Sequence, residues 1–248
     1  MFCFERCYDL DELTRSNMHI HTHFSSCAKP EMTFSAIVKE AERCGLTDIA
    51  LTDHSGPDEK DQISRCFETL KKERDGTDTR VRVRIGSELS LYGVGKYSET
   101  PETMRKLEYR LFAQNHYHLR TWEHPEDRSP RGYILHTLAC LSELFNTDYA
   151  DCIAHPIAPI KIKSLENPER LFDSISDNEL GGIMEKAENA RCAWELHSGV
   201  VLTWPEWSRR FFNIGREVGS HFTFASDAHT IAAIDPAPVL PQYKKILL

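Results

Sequence analysis

The 248-residue sequence has no cluster of lysine and arginine, no apolar run of membrane-spanning length, no CxxC pair and no internal repeat or low-complexity tract. With 30 Lys+Arg against 38 Asp+Glu and a formal net charge of −8, the long-range field repels a polyanion, so a long nucleic acid is not an expected partner. The early charges Glu5, Arg6, Asp9, Asp11 and Glu12 argue against a secretory apolar segment. A cytoplasmic protein without a membrane partner is therefore expected. The cysteines at positions 3, 7, 27, 44, 66, 140, 152 and 192 form no tight framework, so in a reducing compartment most should be small buried hydrophobes. Cys27 differs in sitting among other potential ligands.

The chain has 40% apolar residues, enough for one sizeable core, and a single domain over residues 1–248 is the expectation. Strand and helix patterns alternate along it. "SNMHIH" reads as a short strand. In the segment after it, Phe34, Ile37, Val38 and Ala41 fall at helical spacing between an N-cap at Thr33 and a stop at Gly45. "TDIALTDHS", "TRVRVRIGSE", "YRLFAQNH", "ADCIAHP", "ARCAWELHS" and "SHFTFASDAH" read as further strands, with helical patterns near 60–74, 136–146, 169–190 and 205–218. Residues 91–133 are the least regular section, expected as surface loops around one strand. The alternation predicts an α/β fold with a parallel sheet, closed into a barrel at this length.

The ionisable residues recur at the strand ends. His19 and His21 end the first strand, Asp53 and His54 the second, Glu88 the third, and His116 and His155 the next two; Asp227 and His229 close "FTFASDAH". In a parallel barrel those ends open onto one face. One histidine at a strand end is more often structural than a ligand. Random placement of twelve histidines would not set HxH, DH, HP and DxH each directly behind a different apolar strand. Leaving Asp53 aside, the remaining eight groups are too many for one ion with four to six ligands, so two or three divalent ions (Zn, Mn or Fe) are implied. His118, His124, His136 and His221 lack that context and read as surface or core residues.

The ordered motifs "HIHTHFS", "IALTDHS", "GSE", "IAHP" and "ASDAH", spanning residues 17–229, resemble the polymerase and histidinol phosphatase family, the PHP domain. The resemblance implies a distorted seven-stranded (β/α) barrel of the TIM-like PHP type with a trinuclear metal site. Carried over, His19, His21, Glu88 and Asp227 would hold one ion, Glu88, His116 and His155 a second, and His54 and His229 a third. Many members place a histidine or aspartate a few residues after HxHT, where this chain has Cys27. A thiolate there would favour zinc over manganese, and a buried filler is the equal alternative. The resemblance starts a loop at Thr22, so His23 is expected at the rim or on the surface.

The metal-ligand pattern is read as a metal-dependent phosphoesterase acting on a small phosphomonoester, and the resemblance implies one such as histidinol phosphate. A metal-bound hydroxide would attack phosphorus, and no separate nucleophilic side chain is required. Asp53 is a candidate partner orienting an imidazole. Arg120, Arg128 and Arg131, in the irregular segment after His116, and His197 are candidate substrate-binding residues, with Glu195 on the same strand face as His197. The competing readings are a nucleotide phosphatase or nucleic-acid end exonuclease, an amidohydrolase-type metal hydrolase, and a non-catalytic metal-binding domain. The sequence is silent on oligomeric state.

Overall fold

The computed structural model describes residues 5–56, 62–159, 162, 165 and 167–248; Cys3 and residues 60–61 of the expected 60–74 helix lie outside these. The apolar runs form strands β1 (Ser16–Ile20), β2 (Asp48–Leu51), β3 (His54–Ser55), β4 (Arg82–Gly93), β5 (Lys96–Tyr97), β6 (Tyr109–Ala113), β7 (Cys152–Ile153), β8 (Ala193–His197) and β9 (Phe222–Ala225). Seven of them pair parallel in the order β1-β2-β4-β6-β7-β8-β9, with β3 and β5 attached to β4. Beyond β9 the chain meets β1 again. His21 N–H donates to the Ala228 carbonyl at 2.9 Å and Ala228 N–H to that of His19 at 3.1 Å, bringing the sheet to a nearly closed barrel.

The helices are α1 (Leu10–Leu13), α2 (Phe34–Arg43), α3 (Gln62–Asp75), α4 (Pro101–Met104), α5 (Pro130–Leu144), α6 (Arg170–Asp173), α7 (Asp177–Asn189), α8 (Ser198–Thr203), α9 (Pro205–Val218) and α10 (Leu240–Leu247), with a 3₁₀ turn at Ile231–Ile234. Thr33 caps α2 by accepting from Ala36 N–H, and Gly45 follows its end with φ of 72°. Phe34, Ile37, Val38 and Ala41 pack onto Ile20, Ile49, Leu51, Val83 and Ile85 from the strands. A separate small cluster of Met18, Ala50, Tyr109, Leu111, Ala113, Cys152, Ala154 and Ala193 joins residues from five strands and from the turn after β7. Its four alanines suit a narrow barrel, where one large ring, Tyr109, takes most of the space.

The structure departs from the sequence expectation at β4, at α5 and over residues 169–190. β4 runs on to Gly93, into the section expected to be irregular, because β3, β5 and β6 all pair with it. Helix α5 begins at Pro130, six residues ahead of the predicted 136, where Ser129 accepts from Gly132 N–H and Pro130 takes the first turn. The single helix expected over 169–190 is two: α7 restarts on a capping box in which Ser176 and Glu179 satisfy each other's backbone N–H groups. Gly86, opposite Tyr109 in the β4–β6 ladder, allows those backbones to approach closely; a Cβ there would lie 2.3 Å from the Tyr109 carbonyl oxygen.

Candidate metal centre

The eight groups picked out at the strand ends meet. Pairing between β1 and β2 slips between Asn17 and Ile20, an irregularity of the kind that re-aims side chains. His19 and His21 are fully buried there, with their Nε2 atoms 3.0 Å apart. Glu88, on β4, stands at the middle. Its Oε2 lies 3.4 Å from His19 Nε2, 3.5 Å from His21 Nε2 and 2.8 Å from His54 Nδ1. Its Oε1 lies 3.5 Å from His116 Nε2 and 2.9 Å from His155 Nε2. Asp227 Oδ1 lies 2.9 Å from His21 Nε2 and 3.3 Å from His19 Nε2, and 3.5 Å from His229 Nδ1.

The hydrogen bonds behind this cluster fix the tautomers. A side-chain oxygen of Glu195, buried on β8, accepts from His19 Nδ1–H at 2.9 Å. Ser25 donates its hydroxyl proton to Asp53 Oδ1 at 2.6 Å and therefore accepts from His21 Nδ1–H at 3.1 Å. Both imidazoles, when neutral, then present a lone pair at Nε2. Two lone pairs 3.0 Å apart, flanked by carboxylate oxygens of Glu88 and Asp227, repel one another unless a cation or added proton lies among them. Asp227 Oδ1 is buried and accepts no hydrogen bond, although its neighbours surround it. This donor set fits divalent metal ions.

The electrostatics agree. Burial opposes charge on His19, but Asp227, Glu195 and Glu88 outweigh it and raise its pKa well above the ordinary value. Burial lowers His21 to about 4 and His116 to about 3. On Glu88 burial acts upward, yet the positive fields of His54, His19 and His116 and the His155 hydrogen bond hold it well below the usual carboxylate range. Asp227 is likewise held down, against burial, by His19, His197 and His21. Two carboxylates thus stay ionised in a nest of imidazoles that cannot all be protonated together.

Backbone and partner groups hold the less regular positions. His155 and Asp227 adopt φ of 30° and 53°, a region that non-glycine residues rarely occupy and that costs on the order of 1–3 kcal/mol each. His155 N–H donates to Glu195 Oε2 at 2.6 Å, and Asn115 Nδ2 donates to the His155 and Ala158 carbonyls at 2.9 and 2.8 Å. Val200 N–H donates to His197 Nδ1 at 3.1 Å, so the His197 proton sits on Nε2 and faces Asp227 Oδ2 at 3.3 Å. Asp53 accepts from Thr22 N–H and hydroxyl at 2.8 and 2.6 Å as well as from Ser25. It thereby folds the loop after β1 and acts on His21 through Ser25. Ser25 and Asn115 were not anticipated, since nothing in their local sequence sets them apart.

The other residues considered from the sequence have these partners and exposures. Arg131 is bound to Glu179 at 2.6 Å and to the Ser174 carbonyl at 2.8 Å, between α5 and the start of α7. Arg120 and Arg128 are exposed on the segment between β6 and α5. His23 is exposed with Nδ1 3.3 Å from the Met32 carbonyl. His124 meets the Tyr133 hydroxyl at 2.9 Å, His136 the Cys140 sulfur at 3.6 Å, and His221 the Glu188 carboxylate at 3.0 Å. Cys27 stands at the open side, where burial pushes its thiol pKa up but hydrogen bonds and charge from His229 and His54 bring it to about 6. Cys66, Cys140, Cys152 and Cys192 are buried, whereas Cys7 and Cys44 are half-buried.

Comparison with known proteins agrees with the motif resemblance. The family model of the PHP domain matches residues 17–124. The chain is similar in fold to the structure of histidinol phosphate phosphatase from Lactococcus lactis complexed with Zn, L-histidinol and phosphate, at a TM-score of 0.59 and 13% identity over 92% of each chain. A protein from Listeria monocytogenes provisionally assigned as a histidinol phosphatase gives a TM-score of 0.66 at 12% identity, over 93% of this chain and 99% of that one. At these identities the likeness is one of fold. No curated protein sequence matches the chain. Among the described residues no helix is long and apolar enough to cross a membrane.

Proposed function

We propose that the protein is a metal-dependent phosphoesterase that hydrolyses a small phosphomonoester, histidinol phosphate or a compound like it, a reading supported by the match of the PHP-domain family model to residues 17–124. The observation that carries this reading is the convergence of the His19 and His21 Nε2 atoms, 3.0 Å apart, with carboxylate oxygens of Glu88 and Asp227 at 2.9–3.5 Å from them. His19, His21, Glu88 and Asp227 would hold one divalent ion, Glu88, His116 and His155 a second, and His54 and His229 a third. Zinc, manganese and iron all suit imidazole and carboxylate donors, and a fold neighbour was crystallised with zinc, L-histidinol and phosphate.

Bound there, divalent cations would lower the pKa of a water toward neutrality and offset charge on the phosphoryl oxygens. The chain's own groups prepare that chemistry. Glu88 turns one oxygen to His116 and His155 and the other to His19, His21 and His54, as a carboxylate serving two positions must. Glu195 and Ser25 keep the His19 and His21 lone pairs pointed inward, and His197 keeps Asp227 from rotating away. His19, His21, Glu88 and His155 form a buried floor, while the side chains of His54, Asp227 and His229 remain 31%, 27% and 30% exposed. Substrate approaches from that rim.

The test is phosphate release by metal-loaded protein across histidinol phosphate, other small phosphomonoesters, mononucleotides and an amide substrate. Turnover of a small phosphomonoester is expected. Preference for mononucleotides would move the substrate class, and activity on the amide alone would overturn the reading.

A further inference from the structure

The loop after β1 carries Cys27 to the open side of the centre, and backbone bonds fix it there. Ala28 N–H donates to the Ser25 carbonyl at 3.1 Å and Lys29 N–H to the His229 carbonyl at 3.0 Å, while Ser25 is itself bonded to Asp53 at 2.6 Å. The chain is therefore anchored on both sides of residue 27. The sulfur lies 3.1 Å from His229 Nε2, and one donor atom from each of His21, Cys27, His54 and His229 falls within 4.8 Å of all the others. His229 Nδ1–H donates to the Asp227 carbonyl at 2.7 Å, which leaves its Nε2 lone pair directed at the sulfur. A thiol paired with one imidazole would explain a single contact. It does not explain why a second imidazole, His54, with His21 behind it, also brings a donor atom within 4.8 Å of that sulfur.

We propose that Cys27 is the sulfur ligand of the third metal position, together with His54 and His229, and that it makes this position select a thiolate-seeking ion such as Zn²⁺ over Mn²⁺ or Mg²⁺. The inference rests on the metal-dependent reading above and divides its positions by chemistry. Those around Glu88 and Asp227 offer only nitrogen and oxygen and accept a range of ions, whereas a thiolate restricts the choice. Coordination replaces the S–H bond by a sulfur–metal bond and releases the proton to solvent, with no electron transferred.

The test loads metal-stripped protein with Co²⁺ and compares wild type with Cys27→Ala. The wild type should show a near-ultraviolet sulfur-to-cobalt charge-transfer band. Cys27→Ala should lose that band and one equivalent of bound cobalt while keeping the visible cobalt bands of the other positions. A second readout needs no variant: alkylation of Cys27, resolved by peptide mass, should slow about tenfold or more when Zn²⁺ is bound and be unchanged by Mn²⁺. Cobalt binding without the sulfur band, or alkylation indifferent to zinc, overturns the role of Cys27 and leaves the metal-dependent reading standing. Failure to bind either cobalt or zinc overturns both.

Discussion

Replacing Glu195 by Gln tests how the site prepares its donors. The carboxylate is buried and accepts two N–H groups, from His19 Nδ1 at 2.9 Å and from the His155 backbone at 2.6 Å. Gln keeps the shape but offers one acceptor oxygen, and its NH₂ must then face one of those two donors. A hydrogen bond to a charged acceptor contributes about 1.5–3 kcal/mol. If His19 loses its partner, the ring is free to move its proton to Nε2 and the lone pair no longer points at Glu88 and Asp227. Loss of such an orienting carboxylate lowers metal affinity about 10–100-fold, or about 1.4–2.8 kcal/mol. Affinity is measured by competition with a chelator of known strength, and circular dichroism of the metal-free protein checks that the variant folds. A folded Glu195→Gln protein that binds metal as tightly as wild type would refute the reasoning.

Other perturbations separate the site from the scaffold. Glu88→Gln removes the charge that faces His19, His21, His54, His116 and His155. It should lower metal content, measured by elemental analysis, and reduce phosphate release about 100-fold or more. Gly86→Ala drives a methyl into the Tyr109 carbonyl oxygen and should destabilise by about 1–3 kcal/mol in a denaturant titration, with weaker metal binding because Glu88 sits two residues on. Glu179 is held at about 2, below the ordinary 4.5, by Arg131 and by the N–H and hydroxyl of Ser176. Its depressed pKa means that the stabilisation is complete above pH about 4.5 and is lost as pH falls toward 2. Glu179→Gln should therefore cost about 0.5–1 kcal/mol at neutral pH, solvent screening included. In thermal melts the gap from wild type should shrink steadily below pH about 4.5.

The barrel could be read from the sequence because its strands are apolar runs cut off by polar residues, and that contrast survives without tertiary information. β7 shows where the signal thins. Only Cys152 and Ile153 pair as strand, yet the "HP" behind them still marked His155. The start of α5 was missed because its first turn, Pro130 to Tyr133, sits directly behind a charged loop segment, although Ser-Pro is itself a start signal. The eight strand-end groups were foreseen because a parallel barrel must bring them together. Their partners were harder: Ser25 and Asn115 are ordinary polar residues whose role exists only once His21 and His155 lie beside them. His197 was a candidate substrate-binding residue, and what its local sequence did not reveal is that a backbone donor at Val200 sets its tautomer and that its Nε2 lies 3.3 Å from Asp227.

The most direct measurement is phosphate release from a generic aryl phosphomonoester by protein stripped with a chelator and then titrated with Zn²⁺ or Mn²⁺. Activity should be absent in the stripped protein, rise with added metal and saturate at two or three equivalents per chain. Turnover that persists undiminished in the stripped protein, or none at any loading, would contradict a metal-dependent phosphoesterase.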